Sequence, residues 1–293
     1  MYDFNHLYEP ASAAEAVEMM QAHPKAKIIA GGSDLLVQLR DGINAGCDFI
    51  SIYMIDELRG ISIDAEKNIR IGALTSFSKI TKNKIIQENV PVLGEAADTV
   101  GGPQIRNIGT IGGNICNGHT GADTAGTLFA LDAMVELTGP DGKEIIPIAQ
   151  FYKSTGGVDL KPAQLLTAVI IPEKCYTGYV GCYYKYAARN AMDVDIVGCS
   201  VNVRLSEDKT VIEDVRAAFG VVGPNPVRVI LAENKIRGSR VYPELAGIFA
   251  DAAVEEIHPR TDFRGTKEFR LHMAHEIVKR MFTEAVKKAG GDI

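Results

Sequence analysis

The chain has 293 residues, with 31 basic and 37 acidic side chains and a formal net charge of −6. No run of Lys and Arg is interleaved with aromatic residues, so the composition argues against nucleic acid as a partner. The N-terminal residues MYDFNHLYEP lack the basic and apolar regions of a signal peptide, and no apolar run reaches the roughly 18 residues of a membrane span. We therefore predict a cytoplasmic protein without a membrane partner, and the length favours two or three domains.

Five cysteines, an odd number at wide spacing, are typical of reduced thiols in a reducing compartment. No CxxC pair occurs, which argues against a zinc site or an iron–sulfur cluster bound by this chain, since both usually need closely spaced thiolates. We predict no metal on this chain and interpret the thiols as small buried side chains. The five are Cys47, Cys116, Cys175, Cys182 and Cys199.

A helix and then a strand are the first elements that the sequence predicts. Ser12 stands three residues before Glu15, as in a capping box, which predicts a helix start. The apolar face of that helix comprises Ala13, Ala16, Val17 and Met20. The run KIIA at 27–30 predicts a strand that stops at the glycine pair 31–32. After the pair, SDLLVQLRDG predicts a short helix capped by Ser33.

Apolar and alternating runs predict more strands and helices up to Pro172. Strands are predicted at 49–55, 68–73 and 165–172, and helices at 76–89 and 93–100. MVELTGPDGKEIIPI predicts a hairpin with its turn at 139–142. This mixture is typical of an α+β fold, and the change of texture near Pro172 predicts a domain boundary.

The C-terminal part is predicted to begin with strands and to end with helices. Residues 179–205 and 210–222 alternate as strands around a polar turn at 206–209, and the chain beyond about 243 is helical. In the last helix apolar residues recur at four-residue spacing, and Gly290 stands just past the end. These residues are Phe269, Met273, Ile277, Met281 and Ala285. We predict a second α+β domain here.

Two glycine-rich segments, IIAGGSD at 28–34 and GTIGGNICNGHTGAD at 109–123, suggest a ligand. A glycine pair after a strand lets backbone N–H groups form a concave anion site, although one such pair is also explained by a tight turn. Two pairs suggest a dinucleotide, with the Asp123 carboxylate accepting from sugar hydroxyls and with polar groups on Thr110, Asn114 and Asn117. The GxGxxG of a nicotinamide-binding Rossmann domain and a Walker A loop are both missing.

Four stretches together resemble the FAD-binding subunit of the molybdenum hydroxylases, and within that family the bacterial xanthine dehydrogenases. They are IIAGGSDLL, VGGPQIRNIGTIGGNICNGHTGAD, LLTAVIIP and YYKYAARNAMDVDIVG, and the resemblance covers nearly the whole chain. It implies an α+β protein: a two-lobed FAD-binding domain of the molybdenum hydroxylase flavoprotein type at 1–173, followed by a smaller α+β C-terminal domain at 174–293. The lobes are expected at about 1–56 and 57–173.

The resemblance also implies non-covalent FAD, extended between the two lobes. The first segment would surround the pyrophosphate with Lys27, Ile28, Ile29, Ala30, Gly31, Gly32, Ser33, Asp34 and Leu35. The second segment, taken here with the residues before it as 100–123, would contact FAD through Val100, Gly101, Ile105, Gly109, Thr110, Gly113, Asn114, Cys116, Asn117, Ala122 and Asp123. Later contacts would be Leu165 or Leu166, and Lys185.

The function implied by the resemblance is electron transfer. A purine would be hydroxylated at a molybdenum cofactor on a large partner subunit, and electrons would pass through [2Fe–2S] clusters on a small subunit to this FAD and then to NAD⁺. No catalytic residue is assigned to this chain. We interpret Cys116 as no redox thiol, His119 as a surface residue of a loop, and Arg106 as either a phosphate sensor or an ion-paired arginine. The sequence leaves open whether Met192 or Asp193 approaches the flavin, and whether NAD⁺ or oxygen is the acceptor.

Three alternatives stay open beside this reading. The first is the same role in a complex for another substrate, such as carbon monoxide, nicotinate or an aromatic thioester, although the cysteine-bearing insertion usual in the thioester relatives is not visible. The second is a stand-alone flavin oxidase in which His119 or Cys116 tethers the flavin. The third is a nucleotide-binding or scaffold protein without redox chemistry.

Overall fold

The computed structural model describes residues 3–153 and 157–293, and residues 1, 2 and 154–156 lie outside that description. The N-terminal region contains a three-stranded parallel sheet in the order β1-β3-β2. Its core includes Ile50, Ile52 and Ile55 together with Leu165 from a later strand. The elements are β1 (Phe4–Tyr8), α1 (Ala13–Ala22), β2 (Lys27–Ile29), α2 (Leu35–Arg40) and β3 (Cys47–Ser51).

The capping box predicted for α1 is confirmed. Ser12 Oγ accepts from the Glu15 N–H at 3.1 Å, and the Glu15 carboxylate accepts in return from the Ala11 N–H at 2.7 Å. The cap therefore satisfies the Glu15 N–H of the first turn, and the return bond goes to Ala11, the residue before the N-cap. The apolar face packs as predicted, since Ala16 and Val17 are buried.

The central region contains a five-stranded antiparallel sheet in the order β4-β5-β8-β6-β7, with helices packed against it. The predicted hairpin is confirmed, because β6 and β7 pair as far as Gly139 and Gly142. The elements are β4 (Ile61–Ile63), β5 (Ile69–Gly72), α3 (Phe77–Lys82), α4 (Lys84–Asn89), α5 (Pro91–Asp98), α6 (Pro103–Ile108), α7 (Ile111–Cys116), α8 (Asp123–Ala130), β6 (Met134–Gly139), β7 (Gly142–Pro147), α9 (Ile148–Phe151) and β8 (Leu165–Ile171).

The C-terminal region contains a four-stranded antiparallel sheet in the order β12-β11-β10-β9, covered by helices. In α12 the predicted apolar face is confirmed for Ile277, Met281 and Ala285, which are buried, whereas Phe269 is 38% exposed. Gly290 follows with a φ of +92°. The elements are β9 (Val180–Tyr186), β10 (Val197–Leu205), β11 (Ile212–Gly220), β12 (Val227–Arg228), α10 (Ile230–Ile236), α11 (Leu245–Glu255) and α12 (Lys267–Lys288).

Three local predictions were wrong. Ser33 does not cap α2: it lies in a turn, and Asp34 precedes the helix without a side-chain cap bond. The strand predicted at 49–55 runs instead from Cys47 to Ser51, because the chain turns after Ile52. The glycine pair 112–113 is not a loop but the first turn of α7. Several short elements without a clear apolar period were not predicted, namely β1, β4, β12, α6, α7, α8, α9 and α10.

The central and C-terminal regions are packed together through α8, which lies against β10 and β11. The segment before α8 reaches the same sheet, because Thr120 Oγ1 donates to the Gly223 carbonyl at 2.9 Å. The α+β fold expected from the sequence is therefore confirmed. Within the described ranges, no helix has both the length and the apolar character needed to cross a membrane, and all five cysteines are free thiols.

Candidate cofactor-binding site

The glycine turn, defined as residues 31–35, follows β2 directly and precedes α2. In residues 3–153 and 157–293 no backbone or side-chain acceptor takes a hydrogen bond from the N–H groups of Gly31, Gly32, Ser33 or Asp34. Gly32 has a φ of +71°, which a residue with a Cβ adopts only with strain. Successive unused N–H groups in such a turn form a site suited to an anion.

Gly31 brings the two glycine-rich segments into contact. A Cβ at this position would lie 1.9 Å from the Ile108 carbonyl oxygen and 3.3 Å from the Gly109 nitrogen. No side chain fits in that space, so glycine is required for the glycine turn to pack on the end of α6. The structure thereby places Gly31 beside Gly109, as a ligand that touches both segments requires.

The second glycine pair serves packing and capping rather than anion binding. The Gly112 N–H donates to the Ala73 carbonyl at 2.9 Å, and the Gly113 N–H donates to Thr110 Oγ1 at 3.1 Å. A Cβ on Gly112 would lie 2.7 Å from the Ala73 Cβ, so this glycine allows α7 to approach β5 closely. The N–H groups of Gly112 and Gly113 are therefore already used within the protein, so this pair does not form a backbone anion site like that of the glycine turn.

A buried ion pair joins the central and C-terminal regions. Lys185 on β9 donates through Nζ to Asp123 Oδ2 at 2.9 Å and to the Thr99 carbonyl at 3.2 Å. The Lys185 and Asp123 side chains are 9% and 8% exposed. Tyr183 Oη donates to Asp123 Oδ1 at 3.3 Å. Burial raises the pKa of Asp123, and the Lys185 ammonium acts in the opposite direction.

The polar residues of α7 lie on its more exposed side. Gly113 and Asn117 are exposed, and Asn114 and Cys116 are half-buried. Asn114 Oδ1 accepts from Thr124 Oγ1 at 2.7 Å, so its amide group is fixed in orientation. Burial of the Cys116 thiol raises its pKa to about 12, so the thiol stays protonated at neutral pH. This agrees with the interpretation that Cys116 is not a redox thiol.

Several other residues of the expected FAD site belong to the protein core. Val100, Ala122, Leu165 and Leu166 are buried. Leu165 packs in the N-terminal core and Leu166 in the central core, so β8 lies where the two meet. On the first segment Lys27 is exposed and Ile28, Ile29 and Ala30 are half-buried; Leu35, Gly101 and Ile105 are half-buried as well.

The loop between β9 and β10 folds over the second segment. The Met192 N–H donates to the Gly101 carbonyl at 3.1 Å, and Met192 Sδ lies next to Gly102. The Asp193 carboxylate instead accepts from N–H groups of its own loop, those of Arg189 and Val194. Of the two residues left open by the sequence, Met192 is therefore the one in contact with the expected cofactor segment.

Arg106 and His119 have ordinary structural partners. Arg106 pairs with Asp98, Nε to Oδ1 3.3 Å, and donates to the Val100 carbonyl at 3.2 Å. His119 is exposed, and its Nδ1 accepts from the Gly121 N–H at 3.0 Å. Partial burial of the ring of this exposed residue and, after it, the nearby Arg264 charge lower the pKa of His119. Arg106 is thus ion-paired, and His119 lies on a loop surface as expected.

Sequence reasoning missed Tyr183 and Asp195. Tyr183 could have been found, because alternate residues of a strand share a face and YYKY places it two positions before Lys185. Asp195 is 1% exposed, immediately before the buried strand β10. Its only sequence signal was a single acidic residue inside the run VDIVG. The charged cluster is defined here as Asp123, Tyr183, Lys185 and Asp195.

The glycine turn and the charged cluster together suit a ligand with both phosphates and sugar hydroxyls. Comparisons with known proteins give the class of this protein. The family model described as FAD binding domain in molybdopterin dehydrogenase matches residues 2–174. The model described as CO dehydrogenase flavoprotein C-terminal domain matches residues 182–285. The chain therefore belongs to the family of FAD-binding domains of molybdopterin dehydrogenases, and it is an FAD-binding oxidoreductase subunit.

Individual relatives match over the full length. The xanthine dehydrogenase FAD-binding subunit of Escherichia coli O157:H7 is 35% identical over 293 residues, which is 100% of both chains. The carbon monoxide dehydrogenase medium chain of Hydrogenophaga pseudoflava is 31% identical over 279 residues, covering 95% of this chain and 96% of the relative.

Solved structures share the fold. Carbon monoxide dehydrogenase from Hydrogenophaga pseudoflava, in a form that lacks the Mo-pyranopterin moiety of the molybdenum cofactor, matches with a TM-score of 0.91 and 30% identity over 97% of this chain and 98% of that chain. Quinoline 2-oxidoreductase from Pseudomonas putida 86 matches with a TM-score of 0.90 and 25% identity over 98% of each chain.

Proposed function

We propose that this chain is the FAD-carrying electron-transfer subunit of a xanthine dehydrogenase, working in the cytoplasm in purine metabolism. Its partners would be a molybdenum-binding large subunit and a [2Fe–2S] small subunit in a heterotrimer, and NAD⁺ would be the acceptor. The full-length similarity to a xanthine dehydrogenase FAD-binding subunit favours this complex over others. The FAD domain would span 1–173 in lobes 1–56 and 57–173, with the C-terminal domain at 174–293.

The observation that carries the proposal is the set of unused N–H groups in the glycine turn, in contact with the segment that leads to Asp123. Four neighbouring N–H donors can neutralise part of the charge of a pyrophosphate without any basic side chain. A buried carboxylate at the other end of that segment can accept from sugar or ribityl hydroxyls. The pyrophosphate of an extended FAD and an adjoining sugar or ribityl chain thus find matching groups on this chain.

The residues of this chain would bind and orient the cofactor, while FAD when bound supplies the redox chemistry. The Lys185 ammonium opposes the effect of burial on the pKa of Asp123 and so favours the ionised form, which accepts hydrogen bonds. Tyr183 holds the second carboxylate oxygen in place. Met192, on the loop packed over Gly101 and Gly102, covers the second segment and would exclude water there. The remaining residues expected to contact FAD extend along the same path.

Non-covalent FAD is favoured over a tethered flavin. Cys116 keeps its proton because burial raises its pKa to about 12, so it is a poor nucleophile at neutral pH. His119 uses Nδ1 to accept from the Gly121 N–H. A stand-alone oxidase with either residue as the attachment point is therefore less well supported.

The first test is a visible spectrum of the chain after incubation with FAD and gel filtration, before and after dithionite. We expect a retained flavin spectrum that bleaches on reduction and a flavin that acid releases into the supernatant. Flavin that stays with the acid-precipitated protein would contradict the non-covalent proposal. A colourless native complex, purified with its partners, would contradict FAD binding altogether.

The second test addresses the substrate and the acceptor. The complex purified from its own cell should oxidise xanthine with NAD⁺ faster than with oxygen. The similarity to carbon monoxide dehydrogenase, 31% over most of the chain, makes carbon monoxide a specific alternative substrate, and nicotinate is the third to assay. Turnover with either of these and none with xanthine would keep the FAD role and overturn the purine assignment.

A further inference from the structure

Asp195 is a buried carboxyl group to which the proposed function gives no role. Its side chain is 1% exposed and is packed against three glycines. A Cβ added to Gly121 or Gly198 would lie 2.7 Å from one of its carboxylate oxygens, and a Cβ on Gly220 would lie 3.2 Å away. These contacts come from the turn before α8, from β10 and from β11, so the carboxyl group is enclosed from three directions.

One oxygen of this carboxyl group has no donor. Within residues 3–153 and 157–293, Asp195 Oδ1 has no hydrogen-bond partner. Lys185 lies close by, but its hydrogen bonds go to Asp123 Oδ2 and to the Thr99 carbonyl. An ionised carboxylate with a buried, unpaired oxygen costs several kcal/mol, whereas a protonated carboxyl costs much less. The geometry therefore favours a proton on Asp195.

The charges around Asp195 lead to the same conclusion. Asp123 adds a second carboxylate, and one ammonium, that of Lys185, faces the two of them. Tyr183 stays neutral, because burial raises its pKa well above the ordinary value. His119 Nδ1 lies beside the same Gly121. The positive charge of Arg264, in the segment before α12, lowers the pKa of Asp195. Arg270 donates to the Ile196 carbonyl rather than to the carboxyl group.

Arg264 does not take the place of a counter-ion. Its Nε and Nη1 are buried without a hydrogen-bond partner in the described part of the chain, and its nearest acidic group is Asp262, Nε to Oδ2 3.7 Å. Its charge lowers the pKa of Asp195, but burial and the Asp123 carboxylate outweigh it and raise that pKa to about 7. Asp195 can therefore gain or lose a proton near neutral pH.

We propose that Asp195 is the proton-exchanging residue of the cofactor site, and that occupation of the site by FAD is linked to proton uptake at its carboxyl group. The inference rests on the proposed FAD site. The charged cluster is already buried, so FAD would act chiefly through the negative charge of its pyrophosphate on the adjoining segment, and that charge disfavours a second free carboxylate. Asp195 acts through Asp123 and Lys185, so it is a positioning residue: its proton keeps the Lys185 ammonium on Asp123.

The test is the affinity of the FAD-free chain for FAD as a function of pH. We expect binding at about pH 8 to be weaker than at about pH 6 by about threefold or more, because the deprotonated form must take up a proton to bind. Calorimetry in buffers of different ionisation enthalpy should show that proton uptake directly. The Asp195→Asn variant should lose both the pH dependence and the uptake.

The matched control is Asp193→Asn, the same chemical change two residues away. Hydrogen bonds from its own loop, above all those of Arg189, lower the pKa of Asp193, so it is already ionised throughout this range. This variant should keep the slope of affinity against pH, whatever its affinity at one pH. An equal slope in wild type and Asp195→Asn would overturn the inference while leaving FAD binding intact. No FAD binding at any pH, in the chain or its complex, would instead count against the proposed function.

Infrared spectroscopy gives a second readout that needs no FAD. The wild-type chain should show the band of a protonated carboxyl group at about pH 6 that disappears towards about pH 8, and Asp195→Asn should lack that band. Persistence of the titrating band in Asp195→Asn, or its absence from wild type at about pH 6, would overturn the assignment.

Discussion

The glycine turn and the charged cluster contribute to the same site by opposite means. The glycine turn offers backbone N–H groups, no basic side chain and a contact so close that Gly31 cannot carry a Cβ. The charged cluster offers side chains only, and its ion pair joins strands and helices from two regions. Substitutions that remove a charged side-chain group should therefore destabilise the charged cluster, and substitutions that add a side chain to glycine should destabilise the glycine turn.

This difference also separates the two glycine pairs. Gly31 and Gly32 leave their N–H groups unused, whereas Gly112 and Gly113 donate theirs within the protein. A glycine pair by itself therefore does not identify an anion site. What distinguishes the two is whether a cap or a neighbouring carbonyl already accepts from the N–H groups.

The largest effect is expected at the charged cluster. Lys185→Met leaves the Asp123 carboxylate buried without its counter-ion, so the free energy of unfolding should fall by about 3 to 5 kcal/mol. Urea denaturation measures it, and FAD should no longer be retained. The double variant Asp123→Asn with Lys185→Met should recover most of the stability but not FAD binding. Failure of the double variant to recover would show that the pair is not energetically coupled.

At the glycine turn, Gly31→Ala should lower the free energy of unfolding by about 3 kcal/mol, because the added methyl group collides with the Ile108 carbonyl. FAD retention should be lost as the two segments separate. Gly247→Ala in α11 is the control, since no atom lies within 4 Å of its added Cβ. If both variants unfold at the wild-type urea concentration, the close contact at Gly31 is not required for the fold.

Stability should depend on pH through Asp195. Its pKa in the folded chain, about 7, lies above the ordinary 3.8, so the folded state binds more protons between these values. The stabilising effect is complete below about pH 4 and is lost as pH rises through about 7. The unfolding free energy of wild type relative to Asp195→Asn should therefore fall by at least about 2 kcal/mol from about pH 4 to about pH 8. A constant difference across that range would refute the prediction.

The smallest effect on stability is expected at the side-chain caps of two helices, α7 and α12. Thr110→Val removes the cap that accepts from the Gly113 N–H and should cost about 1 kcal/mol of stability. Thr266→Val, which removes the equivalent cap of α12, should cost about as much. FAD affinity should fall in Thr110→Val, because the Thr110 hydroxyl is among the groups expected to contact FAD, and should stay within about twofold of wild type in Thr266→Val. Equal FAD affinity in the two variants would show that Thr110 serves only as a cap.

The elements that could be predicted from the sequence were those with a strong local signal. The Ser12 cap, the 139–142 hairpin and the face of α12 each depend on residues close together in the chain. The use of Gly112 could not be predicted, because it depends on Ala73, which lies far away in sequence. The cap bond of the Thr110 hydroxyl could not be predicted either, because α7 itself was not predicted.

The same limit applied to the candidate site. The resemblance gave the residues of both segments, but it could not say which atoms of them are free. Lys185 was found by resemblance and Tyr183 was not, although the two share one face of β9. Asp195 was missed because an acidic residue acquires a raised pKa only when the fold buries it beside Asp123, and no local pattern shows that.

The Asp123–Lys185 pair crosses the boundary between the two family matches, which end and begin at residues 174 and 182. A chain cut between them would leave Asp123 and Lys185 on separate fragments, each without the partner of its ion pair. Mixing the fragments should restore the pair and the cofactor site together. We therefore expect domain association and cofactor binding to be linked, so that a ligand that favours one also favours the other.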